Sequence, residues 1–137
     1  MKSIINKLDT YKFLIISFSI IYIVFGVLKV STESPIRNLV EASLSFMSND
    51  SLFRLFGIIE IILGIGLLFK KFRGYFALAI LLHLFGTIST VFLAPQILFT
   101  SQLTPTLEGE FVAKNIIIIA VVLLIIQKEF GTSSNTK

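Results

Sequence analysis

The chain has 137 residues and a formal net charge of +4; 55% of the residues are hydrophobic, 15% are charged, and there is no Cys. An ordinary soluble domain carries about 25% charged residues, and a domain of this length cannot bury so much apolar side chain. The composition excludes a soluble enzyme, a nucleic-acid-binding module and a disordered chain, and the lack of Cys excludes thiol chemistry, disulfides and Cys-ligated metals.

Four apolar stretches have the length of membrane-spanning helices, because a bilayer core of about 30 Å takes roughly 20 helical residues. We predict spans at about 12–29, 53–70, 74–94 and 110–127. No small-x-small cleavage pattern follows the first span, so we interpret it as a retained helix and not as a signal peptide. The sequence thus predicts a single all-α membrane domain over 1–137, built as a four-helix transmembrane bundle.

The connections between the spans differ in character. A Ser-Pro helix start followed by apolar residues at helical spacing predicts a short outer amphipathic helix at about 35–48. Residues 95–110 are too apolar for a free loop, and we expect them to fold back over the end of the bundle. Residues 70–73 form a tight connection between spans two and three, and the polar tail at 131–137 is predicted to be disordered.

Positive charge concentrates on one side of the predicted membrane. An even number of spans puts both termini on that side, and the positive-inside rule makes it cytoplasmic. The bases that fix this orientation are Lys2, Lys7, Lys12, Lys70, Lys71, Arg73, Lys128 and Lys137. The net charge of +4 then indicates a face close to anionic lipid, and no nucleic-acid partner is expected.

The first three predicted spans carry Lys29, Glu60 and His83, and insertion scales put an ionisable residue at the centre of a span at a cost of about 2.5–3.5 kcal/mol. Glu60 lies roughly 12 Å from the outer end of span two, with Gly57 and Gly64 on its helical face. It is either a carboxylate that locks the bundle by pairing or a proton or ligand site. His83 is either a structural residue or a group that titrates near neutral pH. Lys29 is either an anchor that extends its ammonium to the surface or a member of the same polar cluster.

The last span adds further polar residues near its outer end. The uncharged run after Lys114 is too short to cross a bilayer, so the helix must begin earlier and draw Lys114 below the outer surface. Glu110 precedes Lys114 by four residues, in the favourable order for pairing, and Glu108 lies just outside. We therefore predict a polar cavity open to the outer side and floored by Glu60 and His83. One His and no Cys argue against a metal site.

Four short segments stand out in the predicted spans. The last helix opens with PTLEGEFVAKN at 105–115, and the first ends with GVLK at 26–29. The second contains EIILG at 60–64, and the third contains LLHLFGT at 81–87. Over about residues 13–126 this combination resembles the bacterial DoxX-like membrane proteins, including relatives classified as a domain of unknown function.

The resemblance implies a four-helix protein of the bacterial inner (plasma) membrane. The family takes its name from a membrane subunit of a thiosulfate:quinone oxidoreductase. The resemblance therefore implies an accessory or scaffold subunit of a membrane redox partner, with quinone as a cofactor only through that partner. Relatives with thiol chemistry would use Cys, which this chain lacks. The positions that match the family's pattern are Lys29, Glu60, His83, Glu108, Lys114 and Asn115.

Two other functions stay open at this point. Glu60 and His83 near the membrane midplane would suit a small proton-coupled or small-solute transporter that works as a homo-oligomer. An enzyme has little support, because no nucleophile, metal set or cofactor motif accompanies these residues, and we expect no independent catalytic activity. The candidate binding residues are Lys29, Glu60, His83, Glu108, Glu110, Lys114 and Asn115.

Overall fold

A computed structural model describes residues 9–31, 34, 37–44 and 49–131, and 82% of these residues are helical, with no strand among them. The predicted all-α class is therefore confirmed. The helices are α1 (Thr10–Val30), α2 (Arg37–Ser43), α3 (Asp50–Gly66), α4 (Arg73–Leu93), α5 (Pro95–Leu98), α6 (Leu107–Ala113) and α7 (Asn115–Phe130). Lys2, Lys7, Lys137, the two ends of the predicted outer helix and the tail from 132 lie outside the described residues.

Three helices are long and apolar enough to cross a membrane: α1, α4 and the combined helix Leu107–Phe130, in which α6 and α7 join at Lys114. Their outward faces carry large apolar side chains, and Leu82 and Phe92 are 75% and 82% exposed. Side chains of this kind are stable on the outside of a protein only where lipid, another chain or both cover them. The molecule thus has the surface of a membrane protein.

The second predicted span differs most from the observed helix. The prediction placed it at 53–70, whereas α3 runs from Asp50 to Gly66 and has 17 residues, or about 25 Å. The chain then turns, and Arg73 Nε donates a hydrogen bond of 2.8 Å to the Leu67 carbonyl oxygen. Leu68 and Phe69 belong to this turn and are exposed, so their hydropathy extended the predicted span beyond the end of the helix.

Helices α1 and α3 come into backbone contact at two glycines. A Cβ atom added to Gly57 would lie 2.6 Å from the Gly26 carbonyl oxygen and 2.8 Å from Lys29 Cβ. A Cβ atom on Gly26 would lie 2.5 Å from the Gly57 carbonyl oxygen. Small residues at such a crossing let two backbones approach closely, which is a common way to pack helices in lipid.

Two clusters of buried side chains hold the helices together. The larger one draws Phe18 and Tyr22 from α1, Ile80 from α4 and Ile125 from α7, together with Leu63 of α3. It continues through Ile15, Leu67, Ala77, Leu84 and Val122. We call the end of the molecule that holds Lys29 and helices α2, α5 and α6 the Lys29 end, and the end with the α3–α4 turn the Lys70 end.

The smaller cluster lies at the Lys29 end. Leu39 of α2 is fully buried and packs with Ala94, Leu98 and Val112. Thr106 holds the loop between α5 and α6 against the end of α5, because its backbone N–H donates a hydrogen bond of 2.9 Å to the Leu98 carbonyl oxygen. Residues 95–110 thus fold back onto the helices, as expected. The described part of the predicted outer helix packs its apolar side on protein, since Leu39 faces this cluster.

Arg37 fastens α2 to the start of α3. It pairs with Glu41 at 2.7 Å and with Asp50, and its guanidinium lies 5.5 Å from the centre of the Phe53 ring. These contacts link Glu41 of α2, through the Arg37 guanidinium, to the first residue of α3.

The α1–α3 contact yields a first prediction. Gly57→Ala should lower the free energy of unfolding by about 1–3 kcal/mol, because the new methyl group meets backbone that cannot move aside easily. Gly86→Ala is the matched control, since a Cβ atom there meets no atom within 4 Å. It should be neutral or stabilising by up to about 1 kcal/mol, because Ala favours helix more than Gly. Unfolding of both variants in detergent micelles, followed by circular dichroism, measures the difference; equal effects would contradict the packing argument.

Candidate functional site

Lys29 is buried at the end of α1, with 7% of its surface exposed. It lies in the last turn of the helix, where a cation interacts favourably with the exposed carbonyl groups and the helix dipole. The side chain does not extend to the surface as an anchor would. It turns instead along Gly57, whose missing side chain leaves room for the Lys29 Cβ atom.

Glu60, on α3, is the partner of the Lys29 side chain. It lies three residues after Gly57 on α3, so both residues are on the face that contacts α1. Glu60 is 4% exposed, and its Oε1 atom accepts a hydrogen bond from Lys29 Nζ. The ammonium and the carboxylate neutralise each other, which is the condition for keeping two charges out of water.

His83 of α4 completes a three-residue cluster. Its Nε2 atom lies 2.8 Å from Glu60 Oε1, the same oxygen that Lys29 contacts. The His83 ring packs against Tyr22, with ring centres 6.1 Å apart, and against Phe56, with ring centres 6.5 Å apart. We call Lys29, Glu60 and His83 the Lys–Glu–His cluster. A proton can pass between His83 and Glu60 over this distance without any movement of the backbone.

A small cavity of about 30 Å³ borders the cluster. Its wall also includes Tyr22, Phe111 and Asn115. The buried polar atoms Tyr22 OH, Glu60 Oε2 and Asn115 Nδ2 have no hydrogen-bond partner in the described protein. Buried polar groups without partners are costly, and a cavity of this size takes a water molecule or a small polar group of a ligand. The cavity therefore combines two hydrogen-bond donors with one carboxylate acceptor.

A second cavity, of about 90 Å³, adjoins the first at the Lys29 end. Lys29, His83, Thr87 and Phe111 line both cavities, so the two spaces share the Lys29 and His83 side chains of the cluster. The second cavity is mostly apolar, and its remaining wall includes Leu39, Val40, Leu44, Phe53, Phe56, Gly86, Thr90 and Val112. An apolar space with polar groups at one end suits a small amphiphilic molecule.

Four of the seven predicted site residues meet at this place: Lys29, Glu60, His83 and Asn115 all line the smaller cavity. Glu108, Glu110 and Lys114 do not. Glu110 and Lys114 are exposed, and within the described ranges neither takes part in an ion pair. The reason is helix geometry, since each residue rotates by about 100°, and Lys114 therefore leaves the face that Asn115 buries.

The structure also adds residues that the predicted site omitted. Tyr22 shares the helical face of Lys29 seven residues away, so spacing alone could have included it. Phe111 and Leu39 close the two cavities from α6 and α2. No local pattern distinguishes them from other apolar residues, because their position depends on how the Lys29 end folds back.

The cluster has few of the features of a metal centre. No group of three or more His, Asp or Glu side chains that could hold a metal ion occurs in the described ranges, and the chain contains no Cys. Glu60 and His83 already bind each other, and Lys29 would repel a cation. The Lys–Glu–His cluster can therefore take part in proton exchange and hydrogen bonding.

Comparison of the chain with family models, with curated proteins and with solved structures finds no match. The fold class and the geometry of the cluster therefore rest on this chain's own residues. The resemblance to DoxX-like proteins stays a prediction, carried by the four segments named above.

The ion pair at the centre of the cluster can be tested by a double-mutant cycle. Lys29→Met and Glu60→Gln should each lower the free energy of unfolding by about 3–5 kcal/mol, because each leaves a buried partner uncompensated. The double variant should lose clearly less than the sum of the two. The more accessible pair Arg37–Glu41 serves as the control, where Arg37→Gln and Glu41→Gln should give no such coupling. Additive losses at Lys29 and Glu60 would show that the two side chains act independently.

Proposed function

We propose that the chain is a four-span, DoxX-like protein of the bacterial inner membrane, with both termini in the cytoplasm. Three helices have the length and composition to cross a membrane, and α3 lies antiparallel to α1 with its apolar side chains exposed. This antiparallel alignment supports a fourth crossing by α3. The helix is about 25 Å long, which nearly equals the hydrocarbon thickness, and a bilayer accommodates a shorter segment by local thinning. The orientation is supported by the bases at the Lys70 end.

Single cysteines test this topology, and the Cys-free chain is a suitable background. Asn38, Lys71 and Ser101 are exposed in three successive connections. A membrane-impermeant maleimide applied to intact cells should label Asn38→Cys and Ser101→Cys but not Lys71→Cys. After permeabilisation, Lys71→Cys should react as well. Reaction at positions 38 and 71 together in intact cells would mean that α3 does not cross.

We infer that the protein serves as an accessory subunit of a membrane redox partner and holds a small molecule beside the Lys–Glu–His cluster. One observation carries this proposal: Lys29, Glu60 and His83 come from three helices and converge on the wall of one cavity. The adjoining apolar cavity adds room for the rest of an amphiphilic ligand. The resemblance to a membrane subunit of an oxidoreductase supports the redox context, in which a quinone would enter through the partner.

A tagged chain purified from its native membrane in mild detergent tests this function. It should retain a second polypeptide with the absorbance of a redox cofactor. Glu60→Gln should keep that polypeptide but slow electron transfer to a soluble quinone analogue by about 10- to 100-fold, since one charged hydrogen bond is worth about 1.5–3 kcal/mol. Glu110→Gln is the control, because Glu110 is exposed and lies outside both cavities. A chain that purifies alone would contradict the subunit proposal.

A small proton-coupled transporter, working as a homo-oligomer, is the second candidate. The contact of 2.8 Å between His83 and Glu60 favours it, because a proton can exchange there in the interior of the protein. The purified chain in liposomes with an enclosed pH-sensitive dye would then take up protons, and Glu60→Gln would abolish the uptake. Equal uptake by both proteins would exclude this function.

A further inference from the structure

A broad groove of about 580 Å³ lies at the Lys70 end, away from the Lys–Glu–His cluster. It is bounded by the start of α1, the turn between α3 and α4, and the last residues of α7. Four bases line it: Lys12, Lys70, Arg73 and Lys128. Three separate parts of the chain thus bring positive charge to one place.

The two acids in the groove are engaged by protein donors. Asp9 caps α1, and its Oδ1 atom accepts a hydrogen bond of 3.0 Å from the N–H of Lys12. Glu129 Oε1 accepts hydrogen bonds from Tyr11 OH at 2.6 Å and from Arg73 Nη1 at 3.2 Å. With four bases and two acids along its wall, the groove keeps an excess of positive charge.

Two of the bases are held in fixed positions. Arg73 binds the Leu67 carbonyl oxygen at 2.8 Å in addition to Glu129, and its guanidinium lies 5.8 Å from the centre of the Tyr11 ring. Lys128 Nζ lies 3.8 Å from the centre of the same ring. A cation placed over an aromatic face gains stabilisation from the ring, so both side chains lose little further freedom when an anion binds.

The wall of the groove changes from basic to apolar. Ile15, Ile16 and Leu68 line it next to the bases, and Ile16 and Leu68 are 41% and 46% exposed. A free phosphate ion would make no use of these side chains, whereas the acyl chains of a phospholipid would cover them. Basic pockets between helices at the cytoplasmic face are where anionic headgroups bind in membrane proteins.

We propose that this groove binds one anionic phospholipid, with its phosphate among Lys12, Lys70 and Arg73 and its acyl chains along Ile16 and Leu68. The site is independent of the accessory-subunit function. It requires only that the apolar helices lie in a membrane, so failure of either proposal leaves the other standing.

Native mass spectrometry of the full-length chain in neutral detergent tests the site. Titration with phosphatidylglycerol should show one lipid retained per chain, and phosphatidylcholine should be retained at least tenfold more weakly. Lys12→Gln and Lys70→Gln should each weaken phosphatidylglycerol binding about fivefold, and the double variant more than either, because each base near an anionic headgroup contributes a comparable share. Arg73 is left unchanged, since its hydrogen bonds also hold the α3–α4 turn.

Lys71→Gln provides the matched control. Lys71 is exposed beside Lys70 but does not line the groove, and its ammonium lies over the Phe72 ring. Its replacement should change lipid binding by less than twofold. An equal effect of Lys70→Gln and Lys71→Gln would overturn the site in favour of diffuse surface charge. Displacement of the lipid by an equimolar amount of glycerol 3-phosphate would show that the groove binds phosphate alone, and would also overturn the proposal.

Discussion

The contact between the backbones of α1 and α3 at Gly26 and Gly57 determines where the polar residues of this protein can meet. Lys29 lies beside Gly57, and Gly26 lies beside Ile61, the neighbour of Glu60 on the antiparallel partner. The approach of the two helices brings the ammonium and the carboxylate together inside the protein. A side chain at either glycine would push the two helices apart and weaken the pairing of the two buried charges.

Packing at the Lys29 end adds a third polar residue and two cavities to this ion pair. His83 of α4 shares the Glu60 oxygen, so one carboxylate connects two potential proton donors. Leu39, Leu98 and the loop that returns through Thr106 cover this end, and they leave two adjoining cavities beside the cluster. The larger, mostly apolar cavity adds room beside the cluster for the apolar part of a small molecule.

Much of this arrangement could be predicted from helical spacing. Gly57 and Glu60 share a face because they are three residues apart, and a buried acid in an apolar helix requires a base nearby. The prediction from spacing was wrong at Lys114, which is exposed, whereas its neighbour Asn115 is buried. Proximity in sequence does not fix which face of a helix turns inward. The prediction was also wrong at the end of α3, because Leu68 extends an apolar run although it belongs to a turn. The cavity walls from α2 and α6 depend on long-range folding, for which the local sequence carries no signal.

The order of the residues along the chain has a consequence for the biogenesis of the protein. Lys29 precedes Glu60 by 31 residues, so the base is synthesised before the acid that it neutralises. When α3 leaves the ribosome, α1 already offers both a complementary charge and a glycine surface for docking. In the proposed four-span topology, the helix with the buried acid can therefore enter the bilayer as the second arm of a hairpin, with its charge neutralised by Lys29 before His83 leaves the ribosome.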